Sequence, residues 1–295
     1  MRFAAWMATL LLSHEVAAQA PVAADPPVSL AAPPAWQASA SLGLTRIDGA
    51  GDQPVASLGL RRELGEGFAR LSGSWSEARR DERVALGQLA ARTATLTAGG
   101  GWRAGRLSLD GWASVGDRSF KDVLVETIPP TTTNRRRARG TLVALGGGAA
   151  LSVPLNERWV LSPTGWAEWA RLVTRACERN PDGDITFRER LVETGVTGAA
   201  GASLEHELRP GRAALFGSAM AAGATNAATL TQIDPGLPAG GPAARGGGGD
   251  IWAELSAGGA VRLSSRLTLV AAVTRTAGLE GGDYTQGALQ LRLGF

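Results

Sequence analysis

The chain has 295 residues, a formal net charge of +3 and one cysteine, Cys177. So small a charge gives no argument for nucleic acid as a partner, and one cysteine excludes an intramolecular disulfide. With that cysteine and the histidines His14 and His206, the chain cannot assemble a structural zinc site of Cys and His ligands. No cofactor motif is found, because the "GGGG" run at 246–249 lacks the Lys-Ser/Thr ending of a phosphate-binding loop.

Residues 1–20 have the order of a secretory signal peptide. Arg2 precedes an apolar run of about ten residues, and the polar stretch after it ends on a small-residue cleavage site at 18–20. The run is half of the roughly twenty residues that a membrane-spanning helix needs. We therefore predict export, with a mature chain that begins near Pro21, and a Pro/Ala-rich periplasmic segment at 21–35.

Alternation of apolar and polar residues, the signature of a β-strand with two different faces, dominates the rest of the chain. In "WQASASLGLT", Trp36, Leu42 and Leu44 fall on one face, and the opposite face carries Gln, Ser, Gly and Thr. Twelve such strands are predicted, near residues 36–46, 54–62, 67–77, 92–102, 105–117, 139–153, 157–171, 188–206, 211–224, 250–263, 265–276 and 283–295.

The connections between these strands alternate in length. Those after even-numbered strands are short, such as "ELGE", "RAG" and "SS", whereas those after odd-numbered strands are mostly longer. Transmembrane β-barrels have this asymmetry, with short periplasmic turns and longer extracellular loops, and bacterial barrels have an even strand number. The pattern predicts an all-β protein, a transmembrane antiparallel up-and-down β-barrel of about twelve strands over residues 36–295.

A soluble β-sandwich or barrel is the alternative that has the same period. It would turn Trp, Leu and Val inward and cover its outer face with charge. Here the apolar face of the predicted strands is nearly free of charge, and the opposite face is mostly Ser, Thr, Gly and Gln. Such faces suit lipid outside and a wetter lumen inside, which favours the membrane barrel.

The chain ends in the amphipathic segment "QGALQLRLGF", with Leu289, Leu291, Leu293 and Phe295 at alternate positions. This ending resembles the last strand of bacterial outer-membrane barrel proteins, which commonly finish on Phe. The resemblance implies the outer membrane of a Gram-negative bacterium as the location and the barrel-assembly machinery as a partner during biogenesis. Physically, the last strand must pair with the first to remove both edges of the sheet.

More narrowly, residues 36–295 resemble the β-barrel domain of autotransporters in size and strand number. The segment "ERWVLSPTGWAEW" at 157–169 is similar to a strand opening common in those barrels. Autotransporters also carry a passenger and a helical segment before the barrel, whereas the prolines of residues 21–35 disfavour a helix. The resemblance therefore implies an autotransporter-like barrel without a passenger, for which self-secretion is not expected.

Charged residues on the polar face are predicted to line the lumen. Mixed signs inside a low-dielectric wall favour pairing over isolated ions, and a selective pore lining is the alternative. The mixture argues against strong selectivity for anions or cations. The predicted lumen charges are Arg70, Arg106, Asp110, Glu168, Glu193, Glu254, Arg262 and Arg292.

The tryptophans divide between the two faces. Trp36, Trp102 and Trp159 fall near strand ends on the predicted periplasmic side, where interfacial aromatic girdles belong. Another three take the parity of the polar face and are predicted to fill the lumen, namely Trp112, Trp166 and Trp252.

The run "TTTNRRRAR" is predicted to lie in an extracellular loop. Its Arg135, Arg136, Arg137 and Arg139 could contact the phosphates of lipopolysaccharide, because a guanidinium binds phosphate through two hydrogen bonds. A loop that is simply solvated is the alternative.

Catalytic and metal-binding constellations are sparse. His206 is the one histidine outside the predicted signal peptide, and it falls in a predicted periplasmic turn. Enzymes of the outer membrane place a histidine general base toward the outer leaflet, so we predict that His206 is a solvated turn residue. Asp182 and Asp184 of "NPDGD" lack the spacing of a helix-loop calcium site and are predicted to form a turn.

The expected function is therefore that of a non-enzymatic outer-membrane barrel, a narrow or plugged porin-like channel or a surface-structural protein. An accessory barrel in the export of a polysaccharide or other envelope polymer, and a lipid-modifying enzyme, are the alternatives. The expected state is a monomer in outer-membrane lipid and lipopolysaccharide, without nucleic acid or cofactor.

Overall fold

The computed structural model describes residues 35–47, 51–78, 91–120, 123–127, 132–225, 250–279 and 283–295. The predicted signal peptide, nearly all of segment 21–35 and the "GGGG" run lie outside these residues. All the regular secondary structure within these residues is β-strand. No helix there is long and apolar enough to cross a membrane.

Fourteen strands make up the described chain. In chain order they are β1 Trp36–Ile47, β2 Gly51–Leu64, β3 Gly67–Ala78, β4 Ala91–Ala104, β5 Leu107–Phe120, β6 Val123–Thr127, β7 Thr132–Leu151, β8 Val153–Pro154, β9 Trp159–Arg179, β10 Ile185–Arg209, β11 Ala213–Ala224, β12 Asp250–Arg262, β13 Leu267–Ala277 and β14 Tyr284–Gly294.

Twelve of these strands close into one antiparallel β-barrel. Each pairs with its neighbours in the chain, except that β6 pairs with β7 alone and β8 with β9 alone, so β5, β7 and β9 are adjacent in the wall. Pairing of β1 with β14 closes the circle and leaves no barrel strand with a free edge. The predicted twelve-stranded up-and-down barrel is confirmed.

At one end of the barrel the connections are tight turns. β2 and β3 are joined by the two residues Gly65 and Glu66, and β4 and β5 by Gly105 and Arg106. Gly65 and Gly105 have φ angles of 68° and 60°, the left-handed values that two-residue hairpin turns require and that glycine adopts most easily. This end is the one that the sequence analysis predicts to face the periplasm.

At the opposite end three strands are longer than the sequence predicts. β7 begins at Thr132, so most of the predicted loop around the arginine run is strand. β9 continues to Arg179, and β10 begins at Ile185, which reduces the predicted loop of residues 173–187 to a turn over 180–184. The loop prediction was wrong here. Charged residues disfavour a strand in an isolated segment, but the long β9–β10 hairpin and its pairing with β7 hold them in register.

The two faces of the wall differ in the way that the alternation predicts. Outward side chains along the middle of the strands include Leu42 and Leu58, which are 70% and 69% exposed. Inward positions carry Ser, Thr and Gln side chains that are mostly buried. Outward tryptophans lie near both ends, with Trp102 and Trp159 toward the tight turns and Trp75 toward the other rim. An apolar outer belt between aromatic girdles is typical of a barrel that spans a membrane.

Candidate functional site in the barrel lumen

Small hydroxyl side chains cover much of the inner wall and bond to one another across neighbouring strands. Ser41 Oγ of β1 lies 2.6 Å from Ser57 Oγ of β2, and Ser256 Oγ of β12 lies 3.0 Å from Thr274 Oγ1 of β13. Such pairs satisfy polar groups that face the inside, so this part of the wall is polar without carrying charge.

A cluster of tryptophans occupies one side of the lumen. Trp112 of β5, Trp166 of β9 and Trp252 of β12 are 5%, 5% and 6% exposed, and they pack in one cluster with Met220 and Ala222 of β11. The prediction that these three tryptophans face inward agrees with their burial. Their rings occupy space that an open channel would leave to water.

Neighbouring residues hold the tryptophan rings in place. The indole of Trp112 lies against Gly146 of β7, where the Cβ of any other residue would overlap the ring. Its Nε1 donates to Glu168 Oε2 at 2.5 Å, and Trp252 Nε1 donates to Glu254 Oε1 at 2.9 Å. Two of the predicted lumen carboxylates therefore anchor the tryptophans to the wall.

The other predicted lumen charges lie at several places on the inner wall. Asp110, Glu193 and Arg292 are buried on inward positions, and Arg70 and Arg262 are half-buried. Arg292 Nε donates to Gln290 Oε1 at 2.8 Å, a contact along β14. Asp110 and Arg70 attract each other electrostatically, and Arg262 and Arg292 lie on either side of Thr268 in one cross-strand row, so these charges form local groups on the wall.

Arg106 is a correction to the lumen prediction. It is exposed in the two-residue turn between β4 and β5, outside both strands. The predicted strand began at Gly105, but β5 begins at Leu107 because Ala104 already pairs with Leu107. Inward and outward parity holds only within a strand, so it could not be extended to a turn residue.

The sequence analysis missed a charged cluster at the end of the lumen near the tight turns. Arg61 Nε donates to Glu63 Oε1 at 2.7 Å, and Arg103 Nη1 donates to Glu63 Oε2 at 3.4 Å. The guanidinium carbons of Arg61 and Arg103 lie 3.8 Å and 5.6 Å from the ring centre of Phe68. Gln53 and Ser57 of β2 face inward, and extending the same alternation along the strand would have placed Arg61 and Glu63 in the lumen as well.

A second set of inward residues occupies the opposite half of the lumen. Arg118 of β5 and Glu193 of β10 are both buried and attract each other electrostatically. Phe120, Leu142 and Leu172 lie in an apolar cluster there with inward alanines of β7 and β9. The lumen thus contains apolar side chains at two levels, a feature that the polar-face prediction did not include.

His206 lies on the outer side of β10, near the tight turns. Its ring stacks on Trp159 with centroids 4.2 Å apart, and its Nδ1 is buried without a hydrogen bond from the described residues. Its neighbour Glu205 points into the lumen, and Glu207 accepts a bond from the backbone of Gly211 at 2.5 Å. The described residues also contain no group of three or more His, Cys, Asp or Glu placed to hold a metal ion.

The C-terminal residues form the closing seam. Leu289, Leu291, Leu293 and Phe295 all face outward and are 58%, 47%, 48% and 59% exposed. Phe295 N donates to Trp36 O at 3.0 Å, and Trp36 N donates to Phe295 O at 3.1 Å. The last residue is thus paired with the first residue of β1.

The arginine run lies on strand β7. Arg135, Arg137 and Arg139 are exposed on its outer face, whereas Asn134 before them and Ala138 between the last two are buried. The side chain of Arg136 lies outside the described ones. Arg139 bonds Asp117 of β5 through Nε at 2.7 Å and Nη2 at 3.2 Å. These arginines therefore have a fixed register, which a flexible loop would not give them.

A closed twelve-stranded barrel with an apolar outer belt and aromatic girdles is an outer-membrane β-barrel. The family model of the autotransporter beta-domain matches residues 37–274, and the chain belongs to this family. This confirms the resemblance that the C-terminal residues and strand pattern indicated. No curated protein sequence matches the chain.

Solved autotransporter barrels have the same fold. The translocator domain of autotransporter NalP from Neisseria meningitidis is 19% identical, with a TM-score of 0.64, and the match covers 88% of this chain and 87% of that one. The beta domain of the Bordetella autotransporter BrkA is 15% identical, with a TM-score of 0.58, over 90% of this chain and 100% of that one. At these identities the likeness concerns the fold.

Proposed function

We propose that this chain is a non-enzymatic outer-membrane barrel with an obstructed lumen, a plugged or narrow porin-like barrel or a surface-structural protein. The observation that carries this proposal is the tryptophan cluster of Trp112, Trp166 and Trp252, which is buried inside the barrel. Bulky buried rings inside a twelve-stranded wall leave less room for water than the hydroxyl-covered wall alone would.

The arrangement of the lumen charges supports the same proposal. Glu168 and Glu254 accept hydrogen bonds from tryptophans, and Glu63 binds two arginines. A selective pore presents charged groups to passing ions, whereas groups engaged with the wall contribute to stability and rigidity. Structural pairing therefore explains these residues better than ion selection does.

The environment of His206 supports a non-enzymatic role. A histidine general base needs a nucleophile or water within hydrogen-bond reach and a group that orients its ring. His206 instead stacks on Trp159 on the outer side of the barrel, near the periplasmic turns. An anchoring role at the membrane interface fits this position, because aromatic side chains concentrate there.

Conductance of the refolded full chain across a planar bilayer tests the proposal. The wild type should conduct weakly or not at all, and combined replacement of Trp112, Trp166 and Trp252 by Ala should raise conductance several-fold. Outward Trp75→Ala with Trp169→Ala serves as the matched control and should leave conductance unchanged. A large stable conductance of the wild type would support polymer export or another transport role instead.

A further inference from the structure

The outer face of β7, β9 and β10 carries a dense group of arginines, here named the arginine patch. Its side chains are exposed and occupy successive cross-strand rows. In the lowest row three arginines are laterally adjacent, since Arg175 pairs with Arg139 on one side and with Arg190 on the other. The patch consists of Arg135, Arg137, Arg139, Arg175, Arg179, Arg188 and Arg190.

Concentrated positive charge on neighbouring strands is unfavourable unless something anionic offsets it. Adjacent strands lie about 4.8 Å apart, and like charges directly opposite each other destabilise a sheet. Among the carboxylates whose side chains the structure describes, the nearest in the strand order are Asp117, Asp182, Asp184 and Glu189, because Glu178 turns into the lumen and accepts a bond from Asn134. Seven arginines therefore outnumber four nearby carboxylates.

Elsewhere on the described rim the outward arginines are not laterally adjacent, and Arg275 of β13 donates to Thr285 Oγ1 of β14 at 2.8 Å. Arg46 of β1 bonds Asp52 of β2 through Nε at 2.8 Å, and Arg92 of β4 lies 3.6 Å from Glu77 of β3. Both are outward arginines near the same end of the barrel, each beside one carboxylate. Laterally adjacent arginines are thus a property of one sector of the described rim.

The patch lies directly above the apolar belt. Going down the same strands, the next row contains Thr141, Val173 and Val192. The row after it has the exposed Arg171 between Val143 and Thr194, and Trp169 follows in the row below, next to Leu145. Tryptophan marks the membrane interface, and the lowest row of the patch, at Arg175, lies six residues beyond Trp169 along β9. At about 3.3 Å per residue along a tilted strand, it stands at and above the headgroup level.

We infer that the arginine patch binds the phosphate groups of a phosphorylated glycolipid of the outer leaflet, lipopolysaccharide. The partner must be anionic, lie beside the barrel wall and sit just above hydrocarbon, and a membrane phospholipid or glycolipid phosphate meets all three conditions. Guanidinium groups bind phosphate oxygens in pairs of hydrogen bonds, which lysine cannot reproduce. The chain contains 30 Lys and Arg residues, and Lys121 is the one lysine among them.

The strand placement makes such a site rigid before the lipid arrives. The arginines of β7 and β9 are held by 16 consecutive register pairs from Arg135↔Arg179 to Ala150↔Thr164. A preformed site avoids much of the entropy cost of ordering a loop on binding. This inference rests on the outer-membrane placement of the barrel and is independent of whether the lumen is obstructed.

Binding of lipopolysaccharide to the refolded full chain tests the inference. The protein is placed in phosphatidylcholine bilayers with increasing lipopolysaccharide, and bound lipid is measured by co-purification. Combined Arg175→Gln, Arg188→Gln and Arg190→Gln should lower the apparent affinity at least about tenfold, which corresponds to about 1.4 kcal/mol. Arg46→Gln with Arg92→Gln, at the same rim, should change it less than about twofold.

Further arms identify the recognised group and guard against misfolding. Dephosphorylated lipopolysaccharide should bind the wild type as weakly as the intact lipid binds the triple variant. The corresponding Arg→Lys triple variant keeps the charge, and it should bind with intermediate affinity. Heat-modifiable gel mobility verifies that each variant is folded. If the Gln triple variant does not fold, the affinity of the Lys triple variant is compared with that of the wild type instead.

Three results would overturn the inference. The first is equal affinity of the wild type and the folded triple variant. The second is equal binding of intact and dephosphorylated lipopolysaccharide. The third is displacement of bound lipopolysaccharide by inorganic phosphate at comparable concentration, which would indicate a site for the free ion rather than for the lipid.

Discussion

The outer belt of the barrel has two sectors of different character. In the leucine sector, formed by β14, β1 and β2, bulky side chains face the membrane, and Leu42, Leu58 and Leu289 are more than half exposed. In the small-residue sector, formed by β7, β9, β10 and β11, one complete cross-strand row consists of alanine and glycine, namely Ala149, Gly165, Ala200 and Ala221.

Both sectors meet the strict requirement of the hydrocarbon layer, which is the absence of charge and of unpaired backbone groups. The size of the apolar side chains is not part of this requirement. Larger apolar side chains add favourable transfer free energy, but they are not needed to satisfy the backbone hydrogen bonds. The small-residue sector lies below the arginine patch, so the side with the row of alanine and glycine is also the side where we infer binding of lipid phosphates. On that inference, anchoring is divided between hydrocarbon contact on one side and polar contact on the other.

The largest expected effect concerns the seam inside the leucine sector. Deletion of residues 293–295 removes the backbone pairs of Leu293, Gly294 and Phe295 with β1, so β1 and β14 lose part of their closure. We expect the deletion to abolish most folding into the outer membrane, and Phe295→Ala to impair it less because its backbone bonds remain. Heat-modifiable gel mobility measures the folded fraction. A deletion variant with unchanged folded fraction would show that closure of the barrel does not depend on these last three residues.

The second prediction asks whether both sectors face lipid. Leu255→Arg on β12 and Ala200→Arg on β10 each place a charge on the outer face near mid-strand, which costs roughly 2–4 kcal/mol near the bilayer midplane. Ser256→Arg, whose side chain points inward, should cost clearly less. Urea unfolding in lipid vesicles gives the three free energies. If Ala200→Arg is as mild as the inward control, the small-residue sector does not face hydrocarbon.

A smaller effect separates bulk from polarity. Leu58→Ala in the leucine sector removes three carbons from a side chain that is 69% exposed to the surroundings. We expect a loss of roughly 1–2 kcal/mol in the free energy of unfolding from lipid, from about 0.8 kcal/mol per buried CH₂ group. The same unfolding experiment without detergent or lipid should give aggregation. A stable monomer of residues 21–295 in plain buffer would show that these leucines do not need a membrane.

The smallest effect comes from enlarging the small-residue sector. Ala221→Leu adds apolar area on the outer face, and we expect a gain of about 1 kcal/mol or less if lipid is its neighbour. Ala222→Leu, on the next residue, points into the tryptophan cluster and should destabilise by overpacking. A lower free energy of unfolding for Ala221→Leu would show that the sector packs against a more rigid neighbour than lipid.

The period-two alternation was sufficient to locate all twelve barrel strands, because each strand has one lipid face and one lumen face. It failed where charge replaced apolar residues, as at Arg135 and Arg137, since these residues continue the strand without an apolar stripe. It also could not identify contacts between side chains of different strands. Trp112 of β5 and Glu168 of β9 are 56 residues apart and lie on either side of Gly146 of β7, so their contact depends on the register of two strand pairs, which local sequence does not specify.

The pairing of β1 with β14 is also the contact that spans most of the chain. Nearly every strand pairs with its neighbour in sequence, so these contacts are local, and the seam joins Gln37 to Gly294. For a flexible chain, loop-closure entropy grows by about 0.6 kcal/mol per doubling of length, so this one contact costs on the order of 4 kcal/mol more than a hairpin. Because slow folding follows long-range contacts, we expect joining of the two terminal strands to limit the rate at which the barrel forms.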